Sequence, residues 1–510
     1  MLYYIENIQV KEQITMKYYN PIVRGFYPDP SVCKANGKYY MVCSSMNYFP
    51  GVPLFESDDM INWTNIGHCL TRDSQLNLNS IRSSGGIYAP TIRYYNGRFY
   101  MVTTNEGIPQ NFYVYTDDIH GEWSEPILVD QGGIDPSLYF EDGHAYFMSN
   151  GNDADGKPCI LQCEIDITTG KKLSESVPVW YGTGGRYMEA PHLYKFGDYY
   201  YILNAEGGTE YGHMVNYARG TSIWGPFENY SKNPVLTNRN LGGYTLQGAG
   251  HGDIIEDYNG NWWFVHLAFR QSNMWLPFHH LGREVCIEPL NWQSDGWFTI
   301  YNGTSTLQVN LPDNVSFKPQ ARYYTKTFDT LNWNLDWVYL RNPNRECYIL
   351  NDDSLKLIGS KVDLFQVGSP TFIGIRQDEF KIQLSCDVSP NCQEAGVTMY
   401  MDERHHYEAF AYSKDGKTTV TLRLTIGRLS KEERSITITG DTVNIKVSAD
   451  EYTYNFYVND SILGSADTRY LSTEVATGFT GVIMGLYAVD YQEQGLEATF
   501  TNLSITHLED

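Results

Sequence analysis

Tyr27-Pro28-Asp29-Pro30-Ser31, followed within a few residues by Asn36-Gly37-Lys38-Tyr39-Tyr40, is the first of five versions of one pattern. The second is Tyr88-Ala89-Pro90-Thr91 with Asn96-Gly97-Arg98-Phe99-Tyr100, and the third is Ile134-Asp135-Pro136-Ser137 with Asp142-Gly143-His144-Ala145-Tyr146-Phe147. The fourth and fifth are Met188-Glu189-Ala190-Pro191-His192 with Gly197-Asp198-Tyr199-Tyr200-Tyr201, and Gly250-His251-Gly252-Asp253 with Asn259-Gly260-Asn261-Trp262-Trp263. Asn-Gly and Asp-Gly between hydrophobic runs are the strongest short-range hairpin signal, because both turn positions need positive φ. Measured on the pattern proline, or on Gly252 in the last copy, the repeats fall 60, 46, 55 and 61 residues apart. That spacing suits one four-stranded blade per repeat and predicts a five-bladed β-propeller. A second recurring piece marks the outer part of the blades: Ser57-Asp58-Asp59 running to Trp63, Thr116-Asp117-Asp118 running to Trp123, and Ser222-Ile223-Trp224-Gly225-Pro226.

The chain changes character after about residue 310. All eleven Trp fall at or before Trp337, and the hairpin repeat stops with its fifth copy. Leu311-Pro312-Asp313-Asn314 and Phe317-Lys318-Pro319 read as a linker, which puts a propeller at 17–312 and a second domain at 322–510. Period-two runs such as Phe380–Cys386 and Thr418–Leu424 predict a β-sandwich there.

A net charge of −23 excludes nucleic acid and anionic membrane as natural partners and leaves a small neutral ligand compatible. No apolar run reaches bilayer length. The segment Met1–Asn7 lacks a basic region followed by an apolar stretch, Met16 reads as an alternative start, and nine scattered cysteines lack metal-like spacing. A cytoplasmic protein with reduced cysteines is the expectation. Assembly into a homo-oligomer stays open.

In a ring of blades the equivalent positions of the innermost strands converge at one mouth. Asp29 and Asp135 share that coordinate and Glu189 sits one residue earlier in the fourth copy, on a longer stem, whereas Ala89 of the second copy is neutral. Any one Asp before Pro is ordinary turn chemistry. Three in one mouth would repel and shift each other's pKa values, which a fold tolerates where something uses it. Asp29, held between two prolines, is expected to be extended.

These motifs, with Tyr48-Phe49-Pro50-Gly51-Val52, Ser84-Gly85-Gly86-Ile87-Tyr88-Ala89-Pro90, Gly248–Gly252 and Leu281-Gly282-Arg283-Glu284, run in order and resemble glycoside hydrolase family 43. Ser369–Gly374, Glu394–Val397 and His405-His406-Tyr407 resemble the β-sandwich that follows the propeller in its β-xylosidase-like members. The resemblance implies an inverting exo-glycosidase with Asp29 as general base, Glu189 as general acid and Asp135 as the carboxylate that orients the acid and raises its pKa. It implies terminal β-1,4-xylose of xylo-oligosaccharides as the substrate, with α-L-arabinofuranosidase or a non-catalytic carbohydrate-binding propeller as alternatives. Inversion needs room for a water, so the two catalytic carboxyls are expected ~6.5–9.5 Å apart. Arg283 matches an arginine that binds sugar hydroxyls, and Tyr88 and Phe49 supply aromatic walls, Tyr88 standing where many xylosidases of the family have Trp. His251 matches a histidine that in some members binds or orients calcium. No cofactor is required for the chemistry, and one imidazole is weak evidence for a hard cation that prefers oxygen. Tyr39, Tyr40, Phe99 and Tyr100, inside the repeated strand, are expected to pack between blades.

Overall fold

The computed structural model describes residues 17–108, 110–272, 275–311, 317–320, 324–328 and 333–508. Met16 and most of the expected 312–322 boundary lie outside them. Five four-stranded antiparallel sheets follow one another along the chain, their strands adjacent in chain order except in the first, where a two-residue strand between the second and third leaves the blade. The innermost strands are Ser31–Ala35, Thr91–Tyr95, Ser137–Glu141, Glu189–Phe196 and Leu246–Glu256. The fold is a five-bladed propeller, as the repeat predicts.

The hairpin signal works as expected in three copies, where both turn residues have positive φ: Asn36 (52°) and Gly37 (81°), Asn96 (50°) and Gly97 (82°), Asp142 (50°) and Gly143 (87°). In each copy the strand after this turn is the second of its blade, and its alternating side chains face the two neighbouring blades. Tyr39 accordingly packs with Trp263 and Val265 of blade five, whereas its neighbour Tyr40 packs with Ile92 and Phe99 of blade two. Tyr100 faces Leu138 and Phe147 of blade three. The aromatic pairs are inter-blade cement, and the Ser-Asp-Asp pieces form the turns between third and fourth strands, where Asp59 accepts the Ile61 and Asn62 amides.

No blade draws strands from both chain ends. The ring is closed instead by the ribbon Lys17–Tyr19 paired with Gln308–Asn310, and by Asn20, whose side-chain amide donates to the Ile287 carbonyl.

The second domain is a β-sandwich. Its two sheets enclose one core that includes Leu355, Ile373, Val397, Leu422, Phe456 and Phe500. Its strands include Ile382–Pro390 and Lys417–Ile426, over the period-two runs Phe380–Cys386 and Thr418–Leu424. Trp337–Leu340 at one edge pairs with Tyr48–Phe49, a two-residue strand lent by the first blade. This contact corrects the expectation for Phe49. The ring is 2% exposed in the cluster between blades one and two, among Val52, Leu54 and Ile87, and does not face the mouth. All nine cysteines are unpaired, and eight are buried.

Candidate active site

The pattern proline sits just before the innermost strand in the first three copies and inside it in the fourth, with Gly252 in its place in the fifth, and the backbone just before this position kinks in every copy but the second. Asp29 (φ 58°), Asp135 (54°), Ala190 (55°) and His251 (39°) occupy the same repeat coordinate, and all four are in the left-handed region. Asp29 is therefore not extended, contrary to the sequence expectation. Such a conformation costs roughly 1–3 kcal/mol away from glycine and persists only where the surroundings over-determine it. One kink gives different outcomes: in copies one and three the left-handed residue is itself the acid, whereas in copy four it is Ala190 and the acid is the residue before it. Glu189 lies at a register shift against the next strand, where the pairing skips from Glu189 to His192.

Asp29, Asp135, Glu189, Tyr88, His251 and Arg283 converge on one cavity of about 70 Å³. The same cavity is lined by Met46, Ile134, Thr209 and His213 of the propeller and by Phe479 of the sandwich, none of which the sequence singled out. Met46 and His213 come from loops after the second strands of their blades, which carry no repeat signal. Phe479 comes from 450 residues downstream of Asp29 in sequence, and its position depends on inter-domain contacts. Its amide donates to Ser84 Oγ at 2.8 Å, and the Val482 amide donates to the His280 carbonyl at 2.8 Å. Gly481 permits this approach, since a Cβ there would lie 2.4 Å from the Leu281 carbonyl oxygen. The Phe479 ring then meets Tyr88 edge-on, with centroids 6.1 Å apart.

Asp29 accepts from Arg283 Nη1 at 3.0 Å and from Ser44 Oγ. Burial acts to raise its carboxyl, but the charge of Arg283 and the Ser44 hydrogen bond outweigh it and hold it below the ordinary carboxylate range. Arg283 also donates to Thr209 Oγ1 at 2.9 Å and to the Phe479 carbonyl at 3.3 Å. The neighbouring Glu284 is occupied elsewhere, by Arg270.

Burial pushes the Glu189 carboxyl up to about 7, and the negative charge of Asp29 adds to it. Asp135 is also pushed well above its ordinary range, first by burial and then by the charges of Glu189 and Asp29, although it accepts from the Ala190 amide. Glu189 and Asp135 titrate as a linked pair in one buried site, each disfavouring the charge of the other, and Asp29 adds to both. Asp135 faces two other acids in a buried site, so it tends to hold a proton itself. Asp29 is thus biased toward ionisation and the Glu189–Asp135 pair toward holding a proton, the division that acid and base work at a single site requires.

His251 Nδ1 stands 3.6 Å from Asp29 Oδ1, and burial holds the imidazole below its usual pKa, so it is neutral. His213 is neutral for the same reason, pushed down to about 3, and its Nδ1 lies 2.9 Å from the Gly248 carbonyl. Gly250 makes room for that ring, because a Cβ there would lie 2.3 Å from His213 Nδ1. Calcium takes six to eight oxygen ligands. Among the described residues no group of three or more His, Cys, Asp or Glu is placed to hold a metal, and the donors around His251 do not fit such a cage.

The family model for glycosyl hydrolases family 43 matches residues 18–298, and that for the β-xylosidase C-terminal concanavalin A-like domain matches residues 325–506. The chain belongs to glycosyl hydrolases family 43. Similar family members include the non-reducing end α-L-arabinofuranosidase of Bacteroides ovatus, 37% identical over 489 residues that cover 92% of this chain and 90% of the relative. A xylosidase/arabinosidase of Butyrivibrio fibrisolvens is 34% identical over 502 residues, covering 92% of this chain and 95% of the relative. The solved Bacteroides ovatus Xyloglucan PUL GH43B structure superposes with a TM-score of 0.90 at 35% identity, covering 97% of this chain and all of that one. This family 43 chain is a glycoside hydrolase.

Proposed function

We propose that this family 43 enzyme is an inverting exo-hydrolase that removes one terminal pentose, with α-L-arabinofuranose as its preferred sugar. The observation carrying the mechanism is the division of protonation among three carboxyls in one small cavity. Asp29, ionised and fixed by Arg283 and Ser44, is the base that takes a proton from water as the water attacks the anomeric carbon. Glu189, protonated up to about pH 7, gives its proton to the departing oxygen. Asp135, hydrogen-bonded to the amide of Ala190 beside Glu189, orients the acid. Arg283 and Thr209 offer hydrogen bonds to sugar hydroxyls, while Tyr88 and Phe479 form aromatic walls. Water activation and proton donation thus fall to carboxyl side chains.

Arabinofuranose is placed ahead of xylose, reversing the order expected from sequence. Tyr88 replaces the Trp that many xylosidases of the family carry, and a relative 37% identical to this chain is an arabinofuranosidase. The xylosidase reading keeps support from the Butyrivibrio relative, whose name carries both activities. Turnover of paired aryl α-L-arabinofuranoside and aryl β-xyloside, followed by arabinose- and xylose-terminated oligosaccharides, decides between them. The expected result is a higher kcat/KM on the arabinofuranoside; the reverse order reinstates the xylosidase, and turnover of neither removes the proposal. NMR of the first-formed sugar should show β-arabinofuranose from the α-arabinofuranoside, or α-xylose from the β-xyloside. A retained anomer would exclude Asp29 as the base.

The wall supplied by the sandwich gives a further expected result. Phe479→Ala should raise KM about 2- to 12-fold, from the roughly 0.5–1.5 kcal/mol of an aromatic contact, with kcat changed less. An unchanged KM would show that the second domain does not hold the sugar.

A further inference from the structure

Two residues below the carboxylates, the same repeat coordinate carries a second polar layer. Ser31 follows Asp29, Thr91 follows Ala89 and Asp253 follows His251 at this step, and His192 follows Glu189 one residue later because of the register shift. Arg93 of blade two reaches across the axis. Its Nη1 donates to Asp253 Oδ2 at 2.7 Å, and its Nη2 lies 3.2 Å from Asp253 Oδ1 and 2.9 Å from His192 Nδ1. Asp253, fully buried in blade five, also accepts from Ser31 Oγ at 2.6 Å and the Val32 amide at 3.1 Å, both in blade one, and from the Tyr194 hydroxyl in blade four. The Ile92 amide donates to Ser31 Oγ at 3.1 Å, and Thr91 Oγ1 donates to the Pro136 carbonyl of blade three at 2.9 Å. The innermost strands of blades one, two, four and five meet in this network, and blade three is tied to blade two through the Pro136 carbonyl just before its own innermost strand.

None of the catalytic steps uses these groups, yet they stand where spacing is set. The acid, the base and the orienting carboxyl come from blades four, one and three, so no single sheet fixes their separation. Each is two or three residues up-chain from a hub or hub-bonded strand start. No strand is shared across the seam between blades five and one, which a short ribbon, Asn20 and aromatic packing close, so a tie at the inner edges of the blades adds to that closure. Burial holds His192 down to about 3, which leaves its Nδ1 free to accept from Arg93. The charges of Arg93 and Asp253 cancel locally, and neither is a leading cause of the shifts at Asp29, Asp135 or Glu189.

We propose that Arg93 and Asp253 are positioning residues that set the distance between Asp29 and Glu189 by tying the innermost strands of the blades into one layer beneath them. This rests on the acid and base roles given above. A misplacement of about 1 Å between reacting groups costs on the order of 10² in rate, so the hub acts on kcat and leaves sugar binding nearly alone.

The test compares the unaltered enzyme with Arg93→Lys and with the double variant Arg93→Met/Asp253→Leu, which removes both charges together so that neither is stranded in the interior. Tyr194→Phe and Ser31→Ala, each losing one class of hub bond, carry the comparison if the double variant does not fold. The substrate is whichever aryl pentoside the unaltered enzyme cleaves, and the folded fraction is fixed by circular dichroism and active-site titration. Per folded molecule, kcat should fall about 10- to 100-fold in the double variant and less in Arg93→Lys, with KM within about threefold and the limbs of the pH–rate profile unmoved. A folded variant with unchanged kcat would overturn the proposal, as would a fall in melting temperature alone. Shifted pH limbs would replace positioning by an electrostatic role. If the unaltered enzyme cleaves neither glycoside, the function proposed above falls and this inference with it. If it cleaves one while the variants keep its kcat, only the hub is refuted.

Discussion

Asp29→Asn lowers turnover of every glycoside, aryl and natural alike, by ~10²–10⁴. Water must be deprotonated as it attacks whatever leaves, so no choice of leaving group bypasses the base. The substitution is nearly isosteric, keeps its one oxygen for Arg283 Nη1 and turns its amide NH2 toward Ser44 Oγ, which can accept, so it removes the charge more than the architecture. It also removes the anion that helps hold the proton on Glu189, which should lower the pKa of the acid and carry the basic limb of the pH profile downward. Steady-state kinetics on one aryl glycoside and one oligosaccharide checks both points. If Asp29→Asn spared either substrate class, the base would have to be sought elsewhere in the cavity.

Glu189→Gln should separate substrates by their leaving groups. A sugar hydroxyl is a poor leaving group and needs a proton as its bond breaks, so natural oligosaccharides should lose ~10²–10⁴ in kcat/KM. A nitrophenolate departs with little protonation, and its hydrolysis should fall much less. The pH dependence gives an independent readout. In the unaltered enzyme the acid works only while protonated, so activity is present below a pH of about 7 and is lost as pH rises through it. The value belongs to the Glu189 and Asp135 pair, whose titrations are linked. In Glu189→Gln that limb should vanish. Equal losses on both leaving groups with the limb retained would take the acid role away from Glu189.

Much of this was legible in the chain because it repeats. Tyr-Pro-Asp-Pro, Ile-Asp-Pro and Glu-Ala-Pro return at blade-length intervals, and a ring fold turns equal repeat coordinates into neighbours in space. That rule brings Asp29, Asp135, Glu189 and His251 together without any knowledge of side-chain packing. Hairpin chemistry is equally local, since an Asn-Gly pair specifies its own turn. The rule that a residue before proline is extended was also local, and it failed at Asp29, Asp135 and Ala190. There the hydrogen bonds of the mouth and the blade packing impose a left-handed kink against the intrinsic preference.

Phe49 shows the opposite limit. As an aromatic next to a family motif it read as a sugar wall, but an edge strand of the sandwich takes its backbone and an inter-blade cluster takes its ring. Phe479 fills the wall role instead. The sequence by itself determined the propeller, the sandwich and the convergence of the acids, because period and repeat spacing are properties of the chain. Only the tertiary structure decided which acid is biased toward ionisation, which aromatics line the cavity and which side chains bond across the ring at its centre. Those outcomes depend on burial and on Arg283, Phe479, and the Arg93 and Asp253 pair, which reach the axis from blades and a domain far apart in sequence.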